Sequence, residues 1–304
     1  MNGFDERDTV FSRMELKPGT TRYQEYYAAH PEHRAADDAA RAAPSEHPDD
    51  PVNRRLVEAG FGLLEDLRPL ARGPASEHTT DLSPEAATAF LRRLAEAHGA
   101  TSFGVAPLKD TCFYTTRGRG AEYGSPVEVP GRLGLVFAVP MNKEELAGAP
   151  SPRASAEVTN VYLRVALIGL VLARCIRAWG HEAACTMDGR ADLVLPLAAW
   201  NAGLGTMGRS GLLLTDAYGP CVRLGAVLTS LPLAPTAGPS NRTNRVCASC
   251  GRCARGCPAR AIDAGPPMDD GRYRPVDHDA CFAQWRMTGT DCGLCIVECP
   301  LSRF

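Results

Sequence analysis

The segment CASCGRCARGCP, from Cys247 to Pro258, places four cysteines at the spacing C-x2-C-x2-C-x3-C and ends on a Cys-Pro pair. Bacterial ferredoxins that hold [4Fe–4S] clusters carry this spacing, and in two-cluster ferredoxins the fourth cysteine binds the other cluster. The two-residue steps allow successive thiolates to converge on one face of a cubane. The three-residue step and the proline then carry the chain toward a neighbouring cluster.

A second run of cysteines lies closer to the C-terminus. Cys281 stands alone, and CGLCIVECP at 292–300 repeats the steps C-x2-C-x3-C with a final proline. Disulfide bonds would conflict with the absence of an export signal, and zinc would not require the two Cys-Pro endings. The spacing therefore predicts two [4Fe–4S] clusters with crossed ligands, the first on Cys247, Cys250, Cys253 and Cys299 and the second on Cys257, Cys281, Cys292 and Cys295.

Composition is that of an ordinary globular protein. The chain has 304 residues, 44% hydrophobic residues and a net charge of −2, which leaves room for one core and a smaller module. The near-neutral charge disfavours a nucleic-acid partner. The start, MNGFDERDTVFSR, lacks the apolar segment of an export signal, and VALIGLVLA at 165–173 is too short to span a bilayer. We therefore expect a cytoplasmic protein with no membrane partner.

Hydrophobic patterning upstream of the cysteines alternates strands with helices. Strands are predicted at SFGVAPL, RLGLVFAVPM, EAACTM and VRLGAVLT, and a long helix at about 154–179. Ser83 predicts the N-cap of another helix, with Ala87, Phe90, Leu94 and Ala97 on its buried face. The pattern predicts a cap over residues 1–80, an α/β core over residues 81–235 and a cysteine domain over residues 236–304, joined by the linker APTAGPSNRTN.

The segment NAGLGTMGRSG at 201–211 contains G-x-G-x-x-G, formed by Gly203, Gly205 and Gly208. A dinucleotide-binding turn requires a strand before this motif, a helix after it and an acidic residue about 20 residues later. Here the helix-like ADLVLPLAAW comes before the glycines and the strand-like LLLTD after them, and AVLTSLPL carries no carboxylate. We therefore reject a nicotinamide site.

Three segments together resemble the reductive dehalogenases, which are corrinoid iron–sulfur enzymes, and more distantly epoxyqueuosine reductase. They are FDERDTVFSRMELKPGTTRYQEYYAAHPE, LVLPLAAWNAGLGTMGRSGLLLTDAYGPCVRLGAVLTSLPL and CFAQWRMTGTDCGLCIVECP. The resemblance implies a nitroreductase-like α/β core that binds base-off cobalamin, joined to a bacterial-ferredoxin-like domain. No Asp-x-His-x-x-Gly motif is present to ligate cobalt. The implied cobalamin contacts are Gly203, Gly205, Gly208, Arg209, Gly219 and Pro220.

The resemblance also implies the chemistry. Tyr162 matches the family's proton donor, and Arg223 matches the basic residue that stabilises its phenolate. Asp188 falls where dehalogenases can carry asparagine and epoxyqueuosine reductase carries its catalytic aspartate. The expected reaction is dehalogenation of a small organohalide through Co(I), with protonation by Tyr162 and electrons from an external ferredoxin or flavodoxin.

The sequence departs from the dehalogenase pattern at Thr206, where that family usually has glutamate after AGLG. Two alternatives therefore stay open. Reduction of epoxyqueuosine on tRNA is supported by Asp188 and opposed by the near-neutral charge. A non-catalytic electron carrier that has lost its corrinoid is opposed by the presence of Tyr162 and Arg223.

Overall fold

The computed structural model describes residues 3–43, 50–236, 238–239, 245–268 and 273–302. The helices in these ranges are α1 (Val10–Met14), α2 (Thr21–Ala29), α3 (Pro31–Ala42), α4 (Pro51–Leu67), α5 (Pro84–Ala97), α6 (Lys143–Leu146), α7 (Pro152–Ala178), α8 (Leu195–Asn201), α9 (Arg245–Cys250), α10 (Arg252–Arg255), α11 (His278–Thr288) and α12 (Leu294–Val297). The strands are β1 (Phe4–Asp5), β2 (Ser102–Pro107), β3 (Tyr114–Thr116), β4 (Leu133–Pro140), β5 (Ala183–Thr186), β6 (Thr206–Met207), β7 (Leu213–Leu214) and β8 (Val222–Thr229). The predicted linker lies partly outside the described residues.

The core is a four-stranded antiparallel sheet in the order β2-β4-β8-β5. Alternate residues of β4 enter two separate cores. Leu135, Phe137 and Val139 pack with α7, whereas Val136 and Ala138 pack with α8. Because both faces of the sheet are covered, β4 reads as a continuous apolar run instead of an alternating one. A mixed α and β core is thus confirmed.

Helix α5 begins where the sequence predicts but buries a different face. Its N-cap is Ser83, whose hydroxyl accepts a hydrogen bond from the backbone N–H of Ala86 at 3.2 Å, as predicted. The predicted buried face is wrong by about one residue. Phe90 is 42% exposed and contacts the Trp179 ring at 5.4 Å, and the buried residues are Ala87, Thr88, Leu91 and Ala95.

The glycine motif forms a helix end followed by a hairpin. Gly203 has φ +77° and donates its N–H to the Trp200 carbonyl at 3.0 Å, so it ends α8. Strands β6 and β7 then pair, and a Cβ on Gly205 would lie 2.2 Å from the Leu214 carbonyl oxygen. A Cβ on Gly208 would likewise lie 3.0 Å from the Leu214 side chain. The helix-then-strand order that excluded a nicotinamide turn is confirmed.

The N-terminal segment binds the helix that carries Cys281. Arg13 donates to the Asp37 carboxylate at 2.8 Å and also bonds Asp279 on α11. Phe11 contacts the Phe282 ring at 5.5 Å and the Trp285 ring at 5.8 Å. Helices α1 and α3 therefore grip α11 through an ion pair and an aromatic cluster.

Two further observations concern the four cysteines outside the two runs and the absence of a membrane-spanning helix among the described residues. Of the cysteines that fit no spacing, Cys112, Cys185 and Cys221 are buried and Cys175 is half-buried. Along the part of the chain that the structure describes, no helix combines the length and the apolar character that crossing a bilayer requires.

Candidate functional site

The first cysteine set surrounds a small cavity near the C-terminus. Four of its lining residues are the set predicted for one cluster, Cys247, Cys250, Cys253 and Cys299. Cys299, two residues after the end of α12, lines this cavity with the other three, although 46 positions separate it from Cys253. The fold therefore permits the crossed ligation that the spacing predicts.

The second set is recognised from the electrostatic influence of its members on one another. Burial, together with the neighbouring thiolates of Cys281 and Cys292, raises the pKa of Cys295 to about 12. The pKa of Cys281 is raised by burial and then by Cys292 and Cys257. Cys253 of the first set also contributes to the shift at Cys295, so the two sets are neighbours.

These cysteines fit iron–sulfur clusters better than a single metal ion. Within the described ranges, no three His, Cys, Asp or Glu side chains are grouped as they are around one ion. A cubane does not require such a grouping, because each thiolate binds a different iron. An all-thiol donor set is the one that iron–sulfur clusters use.

Arg209 lies at the junction of the core and the cysteine region. The resemblance implies a cobalamin contact for it, and its buried Nε has no hydrogen-bond partner among the described residues. Its guanidinium donates to the carbonyls of Asp263 at 3.0 Å and Ala248 at 3.3 Å, and its face lies 4.8 Å from the Tyr273 ring centroid. Its backbone N–H donates to Cys247 Sγ at 3.4 Å. Arg209 therefore docks the two regions, because its other donors are used by the cysteine region.

Tyr162 on α7 and Arg223 on β8 face each other. Arg223 is on β8 opposite Val139, and its Cζ lies 4.9 Å from the Tyr162 ring centroid. Arg223 lowers the pKa of Tyr162, but burial and the carboxylates of Asp188 and Asp291 outweigh it, so the net pKa shift is upward. The half-buried phenol is therefore protonated over the physiological range.

Asp291 is a site residue that the sequence reasoning missed. Its backbone N–H donates to Ser155 Oγ on α7 at 2.9 Å. Burial raises the pKa of its carboxyl, and Arg223 opposes that shift. Asp291 precedes Cys292 within TGTDCGLC, where the cysteine spacing concealed it. An acidic residue inside a cluster motif was the available signal.

Asp188 lies in the turn after β5 and is half-buried. Its carbonyl accepts a hydrogen bond from Arg68 Nε at 3.2 Å, which fixes the turn to the chain after α4. Its carboxylate raises the pKa of both Tyr162 and Asp291. The structure therefore brings Tyr162, Arg223 and Asp188 together, as the resemblance implies.

Two buried polar atoms at these residues have no hydrogen-bond partner among the described residues. They are Arg223 Nε and, next to Asp291, Thr290 Oγ1. Buried polar atoms are ordinarily bonded, so these donors fit a polar ligand. Next to Asp291 a cavity of about 480 Å³ is lined by Ser155, Phe282, Trp285 and Thr290, among others. A volume of this size is within the usual range for small-molecule sites.

The glycines are weak evidence for the cobalamin contacts that the resemblance implies. Gly203, Gly205 and Gly208 already have structural reasons in the α8 end and the hairpin. Gly219 has φ +53°, and a Cβ there would lie 2.5 Å from the Leu301 carbonyl oxygen. Pro220, next to it, is buried. The chain itself requires small residues here, so cobalamin contacts at these positions stay a proposal.

Comparisons with known proteins point to one family. The chain is 32% identical over 178 residues to the tetrachloroethene reductive dehalogenase of Sulfurospirillum multivorans, covering 56% of this chain and 35% of that protein. It is 28% identical over 272 residues to the tetrachloroethene reductive dehalogenase of Desulfitobacterium hafniense, covering 73% of this chain and 49% of that protein. Epoxyqueuosine reductase of Listeria monocytogenes is 29% identical over 120 residues, covering 34% of this chain and 28% of that protein. The chain thus spans about half, or less, of these relatives.

Solved structures show the fold. A catabolic reductive dehalogenase superimposes with a TM-score of 0.75 at 21% identity, covering 99% of this chain and 42% of that one. A reductive dehalogenase described for B12-dependent dehalogenation gives a TM-score of 0.70 at 22% identity, covering 88% of this chain and 41% of that one. No family model matches the chain. The chain is thus a relative of the reductive dehalogenases that shares their fold, and a more distant relative of epoxyqueuosine reductase.

Proposed function

We propose that this chain is a corrinoid- and iron–sulfur-dependent oxidoreductase that removes halogen from a small organohalide. Residues 1–80 then form a cap, residues 81–235 a nitroreductase-like cobalamin domain and residues 236–304 a ferredoxin-like domain. The observation that supports the proposal is the cavity lined by Cys247, Cys250, Cys253 and Cys299, together with Asp291, which precedes Cys292 and lies near the Tyr162–Arg223 contact. The related reductive dehalogenases, one of them B12-dependent, support the same reaction class.

When bound, two [4Fe–4S] clusters would supply single electrons and a cobalamin would supply a low-potential metal for cleavage of the carbon–halogen bond. The chain supplies the proton. The raised pKa keeps Tyr162 protonated until it donates, and Arg223 stabilises the phenolate that donation leaves. Asp188 and Asp291 disfavour that phenolate, so they promote its return to the phenol.

The test replaces Tyr162 with phenylalanine in anaerobically reconstituted protein. Positioned general acids contribute about 10²–10⁴-fold, so we expect Tyr162→Phe to lose dehalogenation of a halophenol on that scale. Iron content and cobalamin binding should be unchanged, because the ring and its contact with Arg223 remain. Tyr218→Phe, at an exposed tyrosine, is the matched control and should keep full activity.

Two results would contradict this mechanism. Wild-type turnover by Tyr162→Phe would show that another group donates the proton. Failure of the wild-type protein to bind any corrinoid, while it retains its clusters, would favour a non-catalytic electron carrier.

A second candidate is reduction of an epoxide on tRNA, which the position of Asp188 beside Tyr162 favours. Asp188→Asn separates the two reactions. Because a dehalogenase can use asparagine at this position, its halophenol turnover should change little. An epoxide reductase would lose its proton source, so its turnover of an epoxyqueuosine-containing stem-loop should fall by about 10²-fold or more.

A further inference from the structure

The cavity of the first cysteine set opens among arginines. Residues 245–262 contain four arginines and no aspartate or glutamate, although the whole chain has a net charge of −2. All four are exposed, and we call them the arginine rim: Arg245, Arg252, Arg255 and Arg260. Arg245, Arg252 and Arg255 alternate in sequence with the cysteines of the first set, so this segment carries an excess of positive charge.

Two members of the arginine rim are fixed at the cavity by contacts. Arg255 Nη1 lies 3.0 Å from the position of a Cβ on Gly251, and Gly251 lines the cavity. Arg252 pairs with Glu298 at 3.1 Å, directly before Cys299. These cations are therefore held beside the first set.

The surface between these charges is apolar. Val246 is 47% exposed and lines the cavity together with Leu301. An apolar centre surrounded by charge is the usual anatomy of a protein interface, and redox complexes use small interfaces of this kind. A nucleic acid would use the charge but would have no need of the apolar centre.

We propose that the arginine rim docks an acidic one-electron carrier protein, which reduces the cluster held by Cys247, Cys250, Cys253 and Cys299. This inference rests on the proposed function and adds the place at which electrons enter. The reduced carrier loses one electron, the cluster gains it, and no bond is made or broken. Asp291, the residue before Cys292 of the second set, bonds Ser155 on the helix that carries Tyr162, so on this proposal electrons pass from the first set to the second.

The experiment follows cluster bleaching when iron-loaded protein is mixed anaerobically with a reduced flavodoxin, an acidic carrier. Opposite charges accelerate encounter, so the rate should fall as salt is raised. Reversing two charges in Arg245→Glu/Arg255→Glu should slow reduction at low salt by about tenfold or more, and the difference should shrink at high salt. Arg93→Glu, an exposed arginine on α5, makes the same kind of charge change outside the rim and should have little effect.

Reduced methyl viologen is a small cation and serves as the second electron donor. It should bleach the clusters of the wild-type protein and of the double variant alike, which shows that the variant is folded and loaded. Isothermal titration of oxidised flavodoxin gives a readout independent of electron transfer, and its affinity should fall in the double variant. An Arg93→Glu effect as large as that of the double variant would also overturn docking at the rim.

The outcomes separate this inference from the proposed function. Protein that binds no iron overturns both. Protein that methyl viologen reduces, but that flavodoxin reduces at a rate independent of salt and of the double variant, overturns the docking surface alone. Displacement of flavodoxin by a tRNA stem-loop at equal concentration would assign the arginine rim to nucleic acid instead.

Discussion

In the sheet core, α7 alone buries fifteen of its 27 residues against the strands and neighbouring helices. In the cysteine region, the described residues from 245 to 302 include four buried apolar side chains, Ala254, Ala261, Ile262 and Ile296. Helices α9 and α11 bury none of their residues. One region is held together by apolar burial, and the other has few buried apolar side chains among its described residues.

The difference follows from size. A segment of about 60 residues buries too little surface to be stable alone, and natural domains of this size add metals or disulfides. Iron–thiolate bonds to the proposed clusters would join residues that are distant in sequence, such as Cys299 and Cys247, and so replace a core. On this proposal, folding of the cysteine region and acquisition of clusters are one event.

The largest expected effect comes from removing one crossed ligand. Cys299→Ser should reduce iron from about eight to about four per chain and expose amides in residues 245–302, while β4 and β8 keep their protection. Iron analysis and hydrogen exchange measure the two parts. Cys175→Ser, outside both sets, is the control and should keep its iron. Full iron content in Cys299→Ser would contradict the crossed assignment.

A core truncation should show the opposite behaviour. Leu172 on α7 is fully buried, so Leu172→Ala should lower the free energy of unfolding of the core by about 2–5 kcal/mol without changing iron content at a temperature where the core is folded. Leu167→Ala is on the same helix at 52% exposure and should cost much less. Chemical denaturation followed by circular dichroism compares them. Equal losses in the two variants would mean that α7 is not held by burial.

The smallest expected effect concerns the N-terminal helices, where polar networks add to packing. Burial raises the pKa of Tyr27 to about 12, Arg41 opposes that shift and Asp37 adds to it. An unfolded tyrosine has a pKa of about 10, so this contribution to stability is complete below pH 10 and is lost as pH rises toward 12. Tyr27→Phe should flatten that alkaline loss by no more than about 2 kcal/mol, measured by denaturation at several pH values. A wild-type free energy of unfolding that does not change as pH rises from about 10 to about 12 would contradict this prediction.

Signals confined to neighbouring residues predicted the structure well. The spacing of the first run anticipated that Cys247, Cys250 and Cys253 line one cavity, because short steps restrict where thiolates can point. Ser83 marked the start of α5, and the apolar run VRLGAVLT coincides with β8. Each of these depends on geometry within a few residues.

Signals that depend on distant packing were missed. Asp291 becomes a site residue because Ser155, which is 136 positions away, receives its N–H. Arg209 docks the two regions because the carbonyls of residues 248 and 263 lie opposite it. The buried face of α5 is displaced because Trp179, and not the sheet, receives Phe90. A pattern read along the chain contains no information about such partners.

The ion pair between Arg13 and Asp279 has a consequence for biosynthesis. Its two residues are 266 positions apart, so the N-terminal helices leave the ribosome long before the helix that carries Cys281. Contacts of such separation form late and slowly, because a long loop must close first. The contact between the N-terminal helices and α11 can therefore form only after translation has passed residue 279.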